Sequence, residues 1–423
     1  MAEAVTDQNG VEGTVTALDV GAHKVACLIA DVRPGGVITV RGVGNRASAG
    51  IAGGAVVDMA AAEKAIRASV DQAEKMAGKQ VADVFVSLSA GRPASDIVEA
   101  EVALDGHVVS EADIARALRQ ARERIDVGER HILHAFPAAF ALDGHYGVKA
   151  PVGLHGQALT VALHVITVDS APMKNLEACV RRAHLDVRDM VLAPYAAGLA
   201  ALVEDEARMG AACIDIGAGS TGLALFAQGA LVHSEILPVG GALVTEQIAR
   251  ALTAPFDEAE RLKTFHGGAV RDGADERLEI EVVQVGEQSA ADRTIRQPRA
   301  RLTDVIHREY CGLLAEVKSA LTTAGFAGES SRRIVLTGGA ALVEGMRDLA
   351  ADRLGASVRI ARPLPLAGLP TSAQSPIFTV AVGLLKYAAL HGGENNRAIL
   401  GGTKRPDGDR GLARLWRWIK ASF

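Results

Sequence analysis

Two short glycine-rich segments of this chain are near copies of each other. They read Leu18-Asp19-Val20-Gly21-Ala22-His23-Lys24-Val25 and Ile214-Asp215-Ile216-Gly217-Ala218-Gly219-Ser220-Thr221. Each ends an apolar run on an aspartate, places glycine two residues later, and resumes with alternating apolar residues. A third glycine pair closes another apolar run, Ile334-Val335-Leu336-Thr337-Gly338-Gly339. The chemistry that needs these residue types is phosphate binding. A phosphate requires several converging backbone N–H groups, and glycines let the backbone come close. The carboxylates of Asp19 and Asp215 cannot bind phosphate directly, but they can hold a hydrated Mg²⁺ that keeps several waters. Two facing Asp-bearing hairpins therefore suit one magnesium nucleotide clamped between two halves.

A competing pattern is present. Gly217, Gly219 and Gly222 satisfy G-x-G-x-x-G, with Glu235 downstream. A dinucleotide fold would need a helix to open at the third glycine. Instead Thr221, Leu223 and Leu225 alternate with smaller residues, and Gln228-Gly229 reads as a turn, so a strand follows. No Walker A sequence occurs in the chain.

The elements that must position these turns are drawn from 423 residues, enough for two to four domains. Hydrophobic content is 49% but only 4% is aromatic, so the core is built of Ala, Val and Leu. A net charge of −5 argues against a dedicated nucleic-acid surface. Cys27, Cys179, Cys213 and Cys311 have neither metal nor disulfide spacing and read as buried small hydrophobes in a reducing cytoplasm. The N-terminus carries Glu3 and Asp7 and no apolar core, so no signal peptide is expected. The longest uncharged stretch, residues 190–203, is too short to span a bilayer.

Along the chain, residues 14–30 and 37–43 read as strands around the turn at Pro34-Gly35-Gly36. Residues 59–77 read as a helix with Ile66, Val70 and Ala73 on one face and Gly78 at its end. Residues 81–88 read as a buried strand. After Gly91-Arg92-Pro93 the character changes to a strand–helix–strand–strand unit. Its helix is capped by Ser110 and Asp113, its strands cover 131–141 and 157–168, and a turn-rich stretch, 144–156, joins them. His131 and His134 lie in a strand pattern without carboxylate partners, which does not suit a metal. Helices are expected over 173–184 and just after Pro194. The second half opens on the second hairpin. It continues with a helix after Gly240-Gly241, a short helix at 257–264, weakly patterned strands over 267–301, and a long helix at 302–322. An apolar helix-like segment, 376–390, precedes a linker without periodicity.

The last fourteen residues differ again. At about 100° per residue, Leu412, Leu415, Trp416, Ile419 and Phe423 fall in one arc, while Arg414, Arg417 and Lys420 lie outside it. Both tryptophans, Trp416 and Trp418, are here. A basic, Trp-bearing amphipathic segment on a tether reads as an in-plane membrane anchor; docking back on the body is the alternative.

The paired Asp-x-Gly hairpins followed by the strand–Gly–Gly motif resemble the actin/Hsp70/hexokinase superfamily. Within it, Pro151-Val152-Gly153-Leu154, Ile166-Thr167, residues 334–341 and Ala381-Val382-Gly383-Leu384-Leu385 resemble the FtsA family of bacterial actin-like cell-division proteins. The resemblance implies an α/β chain: an actin-like two-lobed ATPase fold with an inserted α+β subdomain and a C-terminal amphipathic helix. Residues 12–91, continued by 170–204 and 373–390, would form the first lobe, with the insertion at 92–169. Residues 205–240 and 321–372 would form the second-lobe core, with a peripheral subdomain at 241–320. A linker at 391–409 and a membrane-targeting helix at 410–423 complete the map.

The resemblance also implies ATP and Mg²⁺ as ligands. It assigns Asp19, Gly21, Ala22, His23 and Lys24 to the first phosphate motif. Asp215, Gly217, Ala218, Gly219, Ser220 and Thr221 form the second, and Gly338, Gly339 and Ala340 the adenosine motif. Gly240, Gly241, Glu260 and Lys263 would lie near base and ribose; a solvated helix face is the alternative for Glu260 and Lys263. Two departures stand out: Ala22 sits where relatives offer a hydroxyl, and Ala193 stands where many offer a carboxylate before Pro194. Hydrolysis is therefore expected to be slow at most. The implied partners are the C-terminal peptide of FtsZ, further copies of the chain, anionic inner-membrane lipids and other division proteins through the insertion. The implied place is the cytoplasmic face of the inner membrane at the septum. Arg299, Arg301, Arg308 and Tyr310 are the candidates for the FtsZ peptide. The competing classes are a soluble metabolite kinase of the same superfamily and a pilus-assembly platform protein.

Overall fold

The computed structural model describes residues 12–286, 289, 293–326 and 333–391. Most of the expected linker and the whole amphipathic tail lie outside the described residues.

The chain begins with β1 (Gly13–Val20), β2 (Lys24–Arg33) and β3 (Val37–Ala47). β1 and β2 pair antiparallel down to Val20↔Val25, which leaves Gly21–His23 as the turn. A two-residue-strand hairpin follows, β4 (Ile51–Ala52) and β5 (Ala55–Val56), and then α1 (Met59–Ala77). Asp58 caps α1 by accepting from the amides of Ala60 and Ala61, and Gly78 ends it at φ 65°. The helix lies hard against the sheet: a Cβ on Gly44 would stand 1.8 Å from the Ser69 carbonyl oxygen. β6 (Asp83–Leu88) runs parallel to β1.

The insertion comprises β7 (Ala94–Ala103), α2 (Glu111–Glu123), β8 (His131–Leu142), β9 (His145–Val148) and β10 (Ala158–Val168). Its sheet order is β7-β10-β8-β9. The expected cap of α2 is present, with Ser110 and Asp113 forming a reciprocal capping box. The period-two alternation of β10 divides its side chains cleanly. Leu159, Val161, Leu163 and Val165 pack in the insertion's own core. Of the opposite set, Ile166 joins the first-lobe core and Ala162 the second-lobe core. At the neck, Arg130 donates to Thr167 Oγ1, to Asp169 Oδ1 and to the Arg92 carbonyl, so one guanidinium ties both connecting segments.

The first lobe resumes with α3 (Ser170–Arg182), β11 (Asp186–Leu192) and α4 (Ala193–Ala201). α3 starts three residues before the expected Met173, with Pro172 in its first turn, where the missing N–H costs nothing. β11, absent from the sequence reading, completes a sheet of order β11-β6-β1-β2-β3. α4 is buried on nearly all sides.

The second lobe repeats the first lobe's plan. After α5 (Glu204–Met209) come β12 (Ala211–Ile216), β13 (Thr221–Ala227) and β14 (Ala230–Leu237). β12 and β13 pair down to Ile216↔Thr221, leaving residues 217–220 as the turn. The peripheral elements are α6 (Gly241–Leu252), α7 (Phe256–His266), the hairpin β15 (Glu279–Val283) and β16 (Thr294–Pro298), and α8 (Arg299–Thr323). β17 (Arg333–Thr337), α9 (Met346–Leu354) and β18 (Ser357–Ile360) return to the core, in a sheet of order β14-β13-β12-β17-β18. α10 (Thr379–His391) then packs on α4, where a Cβ on Gly383 would lie 1.8 Å from the Ala196 carbonyl oxygen.

The seam between the insertion and the second lobe carries a titratable group. His164 on β10 is fully buried, and burial drives its pKa down to about 3. The nearby His233 of β14 lowers it further, and the Leu231 backbone offsets part of the shift. The folded pKa lies below the unfolded value of about 6.5, so this contribution to stability is complete above that pH and is lost as pH falls toward 3. Wild type should lose up to about 1.4 kcal/mol of unfolding free energy per pH unit through this group below about pH 6. Urea melts at stepped pH would measure it, and His164→Leu should flatten the acid slope. Parallel slopes in the two proteins would remove His164 as the cause.

Candidate functional site

The two hairpin turns and the Gly338 turn converge on one cleft. Asp19, at the end of β1, is 7% exposed. Its Oδ1 accepts from Ser87 Oγ at 2.8 Å and its Oδ2 from Lys24 Nζ at 3.0 Å. Lys24 also lies over the Phe378 ring, 5.1 Å from its centroid. Ser87 was not singled out from the sequence. Its only signal is a hydroxyl in the buried strand β6, and it accepts in turn from the Val20 amide at 3.1 Å.

Asp215 occupies the equivalent place on β12. Burial, with the Asp19 carboxylate next in weight, pushes its pKa up to about 7, and Lys24 counters part of the rise. The two carboxylates thus sense each other across the cleft. Gly338 has φ 89°, and a Cβ there would come within 2.4 Å of Asp215 Oδ1. Only glycine fits beside the carboxylate.

Both turns are built alike. The Gly21 amide donates to the Lys24 carbonyl at 2.9 Å, and the Gly217 amide donates to the Ser220 carbonyl at 2.9 Å. Their tips meet: a Cβ on Gly219 would stand 3.0 Å from Ala22 Cβ. Thr221 differs from expectation, because its hydroxyl is committed to the Val239 carbonyl at 2.7 Å. Ser220 is the hydroxyl that remains on the second turn, and the first turn, Gly21-Ala22-His23, offers none.

Gly240 and Gly241 have a packing reason for being glycine. The Gly241 amide donates to Gly217 O at 2.9 Å and the Ala242 amide to Ala218 O at 2.8 Å, seating α6 under the second turn. A Cβ on Gly240 would lie 2.6 Å from the Ala218 oxygen. Lys263 is 8% exposed and donates to Gly241 O (2.9 Å) and Thr245 Oγ1 (2.6 Å), with Glu260 at 2.7 Å. A solvated helix face therefore does not describe it. Burial raises the Glu260 pKa, but hydrogen bonds from Lys263 and Thr245 outweigh this and hold it below the usual range; His23 contributes from across the cleft.

Ala340 is 8% exposed beside the Gly338-Gly339 turn, and its carbonyl accepts from Tyr310 Oη at 3.3 Å. This corrects the reading of Tyr310 as a surface contact: it is fully buried and supports the cleft from behind. Arg299 is also no free surface cation. It pairs with Glu344 at 2.8 Å and Asp275 at 3.3 Å, and donates to His266 O. Arg301 bonds Gln297 and the Ala251 carbonyl, and Arg308 pairs with Glu309; both are more exposed. His131 is exposed and His134 buried, with its Nε2 accepting from the Leu192 amide, so the two do not share a ligand. Cys311 is half-buried, unlike the other three cysteines.

The residues fit a magnesium nucleotide. The turns are rich in glycine, and the Asp19 and Asp215 carboxylates interact across the cleft. Among the described residues no cluster of three or more His, Cys, Asp or Glu forms a protein cage. That donor set suits a cation that keeps its own waters and bridges to phosphates.

A family model described as "Cell division protein FtsA" matches residues 212–383, and one described as "SHS2 domain inserted in FTSA" matches residues 90–167. The cell division protein FtsA of Agrobacterium fabrum is 39% identical over 421 residues, covering 97% of this chain and 95% of that protein. Those of Pseudomonas aeruginosa and Escherichia coli are 31% and 33% identical, over 97% and 88% of this chain and 98% and 90% of theirs. Among solved structures, a PilM–PilN type IV pilus biogenesis complex superposes with TM-score 0.62 at 19% identity, covering 89% of this chain and 98% of that one. MreB5 of Spiroplasma citri bound to ADP superposes with TM-score 0.50 at 14% identity, over 89% of this chain and 96% of that one. At those identities the structures share the fold alone. With the two-lobed sheets, the insertion and the full-length relatives in agreement, the chain belongs to the FtsA family of cell-division proteins on an actin-like fold.

Proposed function

We propose that this chain is an ATP- and Mg²⁺-binding, polymerising adaptor that tethers the FtsZ ring to the cytoplasmic membrane at the septum and recruits later division proteins. The observation that carries the nucleotide part is the meeting of Asp19, Asp215 and Gly338 in one cleft. Asp19 and Asp215 would hold the cation through its waters, and the turns at 21–24, 217–220 and 338–340 would take the phosphates and adenosine. Mg²⁺ supplies charge neutralisation between carboxylates and phosphates when bound. The chain's own part is to exclude bulky side chains, orient the carboxylates and close two lobes. Ala193 precedes Pro194 and is 3% exposed, so no carboxylate stands there to orient water. The nucleotide then acts mainly as a ligand that holds the lobes together. A soluble kinase would need a catalytic carboxylate and polar sugar-binding residues in the first-lobe cleft and has no use for a membrane helix, and the pilus-platform reading rests on shared fold at 19% identity.

The tail supports the membrane part. Five apolar side chains on its stripe gain roughly 1.5–3 kcal/mol each if fully buried, and Arg414, Arg417 and Lys420 add about 1 kcal/mol each near an anionic leaflet. Ordering the helix and partial depth reduce the total, so one tail binds reversibly, while a filament of many tails binds firmly. For the acidic FtsZ peptide, Arg301 and Arg308 remain the charge candidates, since Arg299 and Tyr310 are engaged internally.

Gly338→Ala should displace the Asp215 carboxylate, and Mg-nucleotide affinity measured by calorimetry should fall by about 1–3 kcal/mol, the worth of a charge-assisted hydrogen bond. Turnover by wild type should lie well below about 10 per second. Unchanged affinity in the variant would sink the site assignment, and brisk phosphate release would sink the ligand role.

A reconstitution separates the remaining parts. Wild type on anionic liposomes should sediment and carry a fluorescent FtsZ C-terminal peptide with it. Trp416→Glu should abolish sedimentation and leave peptide binding in solution. The pair Arg301→Glu, Arg308→Glu should do the reverse. Sedimentation of Trp416→Glu at the wild-type level would make the tail a docked element. Peptide binding that ignores the arginine changes would place that site elsewhere.

A further inference from the structure

The segment Ser48-Ala49-Gly50-Ile51-Ala52-Gly53-Gly54-Ala55-Val56-Val57 was not among the candidate site residues, yet it reaches the cleft. Ile51 pairs with Val56 and Ala52 with Ala55, so Gly53-Gly54 is a two-residue turn. Their φ values are 53° and 79°, the doubly positive turn that two glycines favour. Three contacts fix it. At its base the Ser48 amide donates to the His23 carbonyl of the first phosphate turn at 2.9 Å, while the Val57 and Asp58 amides donate to Gly50 O. On its flank Gly54 lies flat on Ser89, two residues beyond the Ser87 that holds Asp19; a Cβ on Gly54 would be 2.2 Å from Ser89 O. At its tip a Cβ on Gly219 of the second phosphate turn would be 3.1 Å from the Gly53 nitrogen and 3.3 Å from Gly53 Cα.

The tip therefore touches the second turn from the first lobe's side. Among the described residues, no backbone hydrogen bond of a loop or turn uses the Gly53 or Gly54 amide as a donor. Beside the first turn, Ser48 Oγ is buried with no hydrogen-bond partner. The first turn itself has no hydroxyl, whereas the second has Ser220. Two unused amides and a buried hydroxyl stand next to the turn that lacks a donor.

Resting on the nucleotide reading above, we propose that the β4–β5 hairpin is a further phosphate-binding turn, whose Gly53 and Gly54 amides favour the terminal phosphate of a nucleoside triphosphate. Backbone amides carry no side chain into the cleft and present partial positive charge to an anion. A triphosphate reaches one phosphate further than a diphosphate, so the hairpin discriminates between them. The hairpin belongs to the first lobe and its tip rests on the second, so a phosphate held there also draws the lobes together.

Gly53 suits a charge test. A Cβ on it meets nothing within 4 Å, and Asn and Asp are the side chains that best tolerate its positive φ. The full chain is titrated with fluorescent ATP and ADP analogues in Mg²⁺. Gly53→Asp should lose ATP affinity by about 10-fold more than Gly53→Asn, a charge effect of the size of one charged hydrogen bond. The two variants should differ much less for ADP. Gly53→Lys should shift the ATP-to-ADP preference the opposite way. Equal ATP affinity in the Asp and Asn variants, equal losses for ATP and ADP with Asp, or no shift with Lys would each overturn the proposal. A wild-type chain that binds neither nucleotide would instead overturn the nucleotide reading itself.

Discussion

Two carboxylates facing each other across a cleft govern this architecture. Asp19 and Asp215 end equivalent strands of two lobes, and burial together with the Asp19 carboxylate disfavours the charge on Asp215. One ammonium, Lys24, and one hydroxyl, Ser87, compensate Asp19 directly. Asp215 is left with a pKa raised to about 7. Such a pair is held together only if the backbone fixes it from both sides. The two hairpin registers do this, because each turn begins directly after the strand that carries its aspartate. A divalent cation offers the charge that a single lysine cannot supply to two carboxylates. The cleft is thus a place where one lysine and one hydroxyl serve two carboxylates, a donor set that suits the proposed magnesium nucleotide.

Close backbone contact is the second constraint. With few aromatic residues, the chain packs its helices by glycine rather than by bulk. Gly44 admits Ser69 of α1, Gly222 admits Pro194 of α4, and Gly383 admits the Ala196 carbonyl. One group of aromatic rings is packed together. Phe85, His134, Phe136, Tyr195, Phe226 and Tyr387 stack or meet edge to face where β6, β8, α4, β13 and α10 converge. A large, rigid cluster stands at the junction of lobes and insertion, and thin glycine contacts surround it.

The duplicated turns were legible because their chemistry and their geometry demand the same residues. Asp, Gly and alternating apolar residues signal hairpins at any scale, and the capping box of α2 did so for the insertion. Short, half-exposed elements were not legible. β9 hid in a turn-rich stretch, and β11 puts two charged residues, Arg188 and Asp189, between Val187 and Met190, where an irregularity in its register with β6 breaks the period. The internal partners of Tyr310 and Arg299 were not legible for a related reason. A sequence shows that a residue can bind, but not that Ala340, Glu344 or Asp275 already occupies it. The committed hydroxyl of Thr221 belongs to the same class.

The insertion is more than an appendage, because its inner face belongs to both lobes. β14 is an edge strand, and an edge carries unpaired N–H and C=O groups. Ser95 of β7 meets both at one residue: its hydroxyl donates to the Ser234 carbonyl and accepts from the Ser234 amide, each at 3.0 Å. Ala162 and Ile97 pack beside it in the second-lobe core, while Ile166 packs in the first. Arg130 meanwhile fastens the insertion's neck to the first lobe. Anchored to one lobe and seated on the edge of the other, the insertion cannot keep all of these contacts if the lobes rotate apart. Its position is therefore fixed by contacts to both lobes at once, at the neck through Arg130 and at the β14 edge through Ser95.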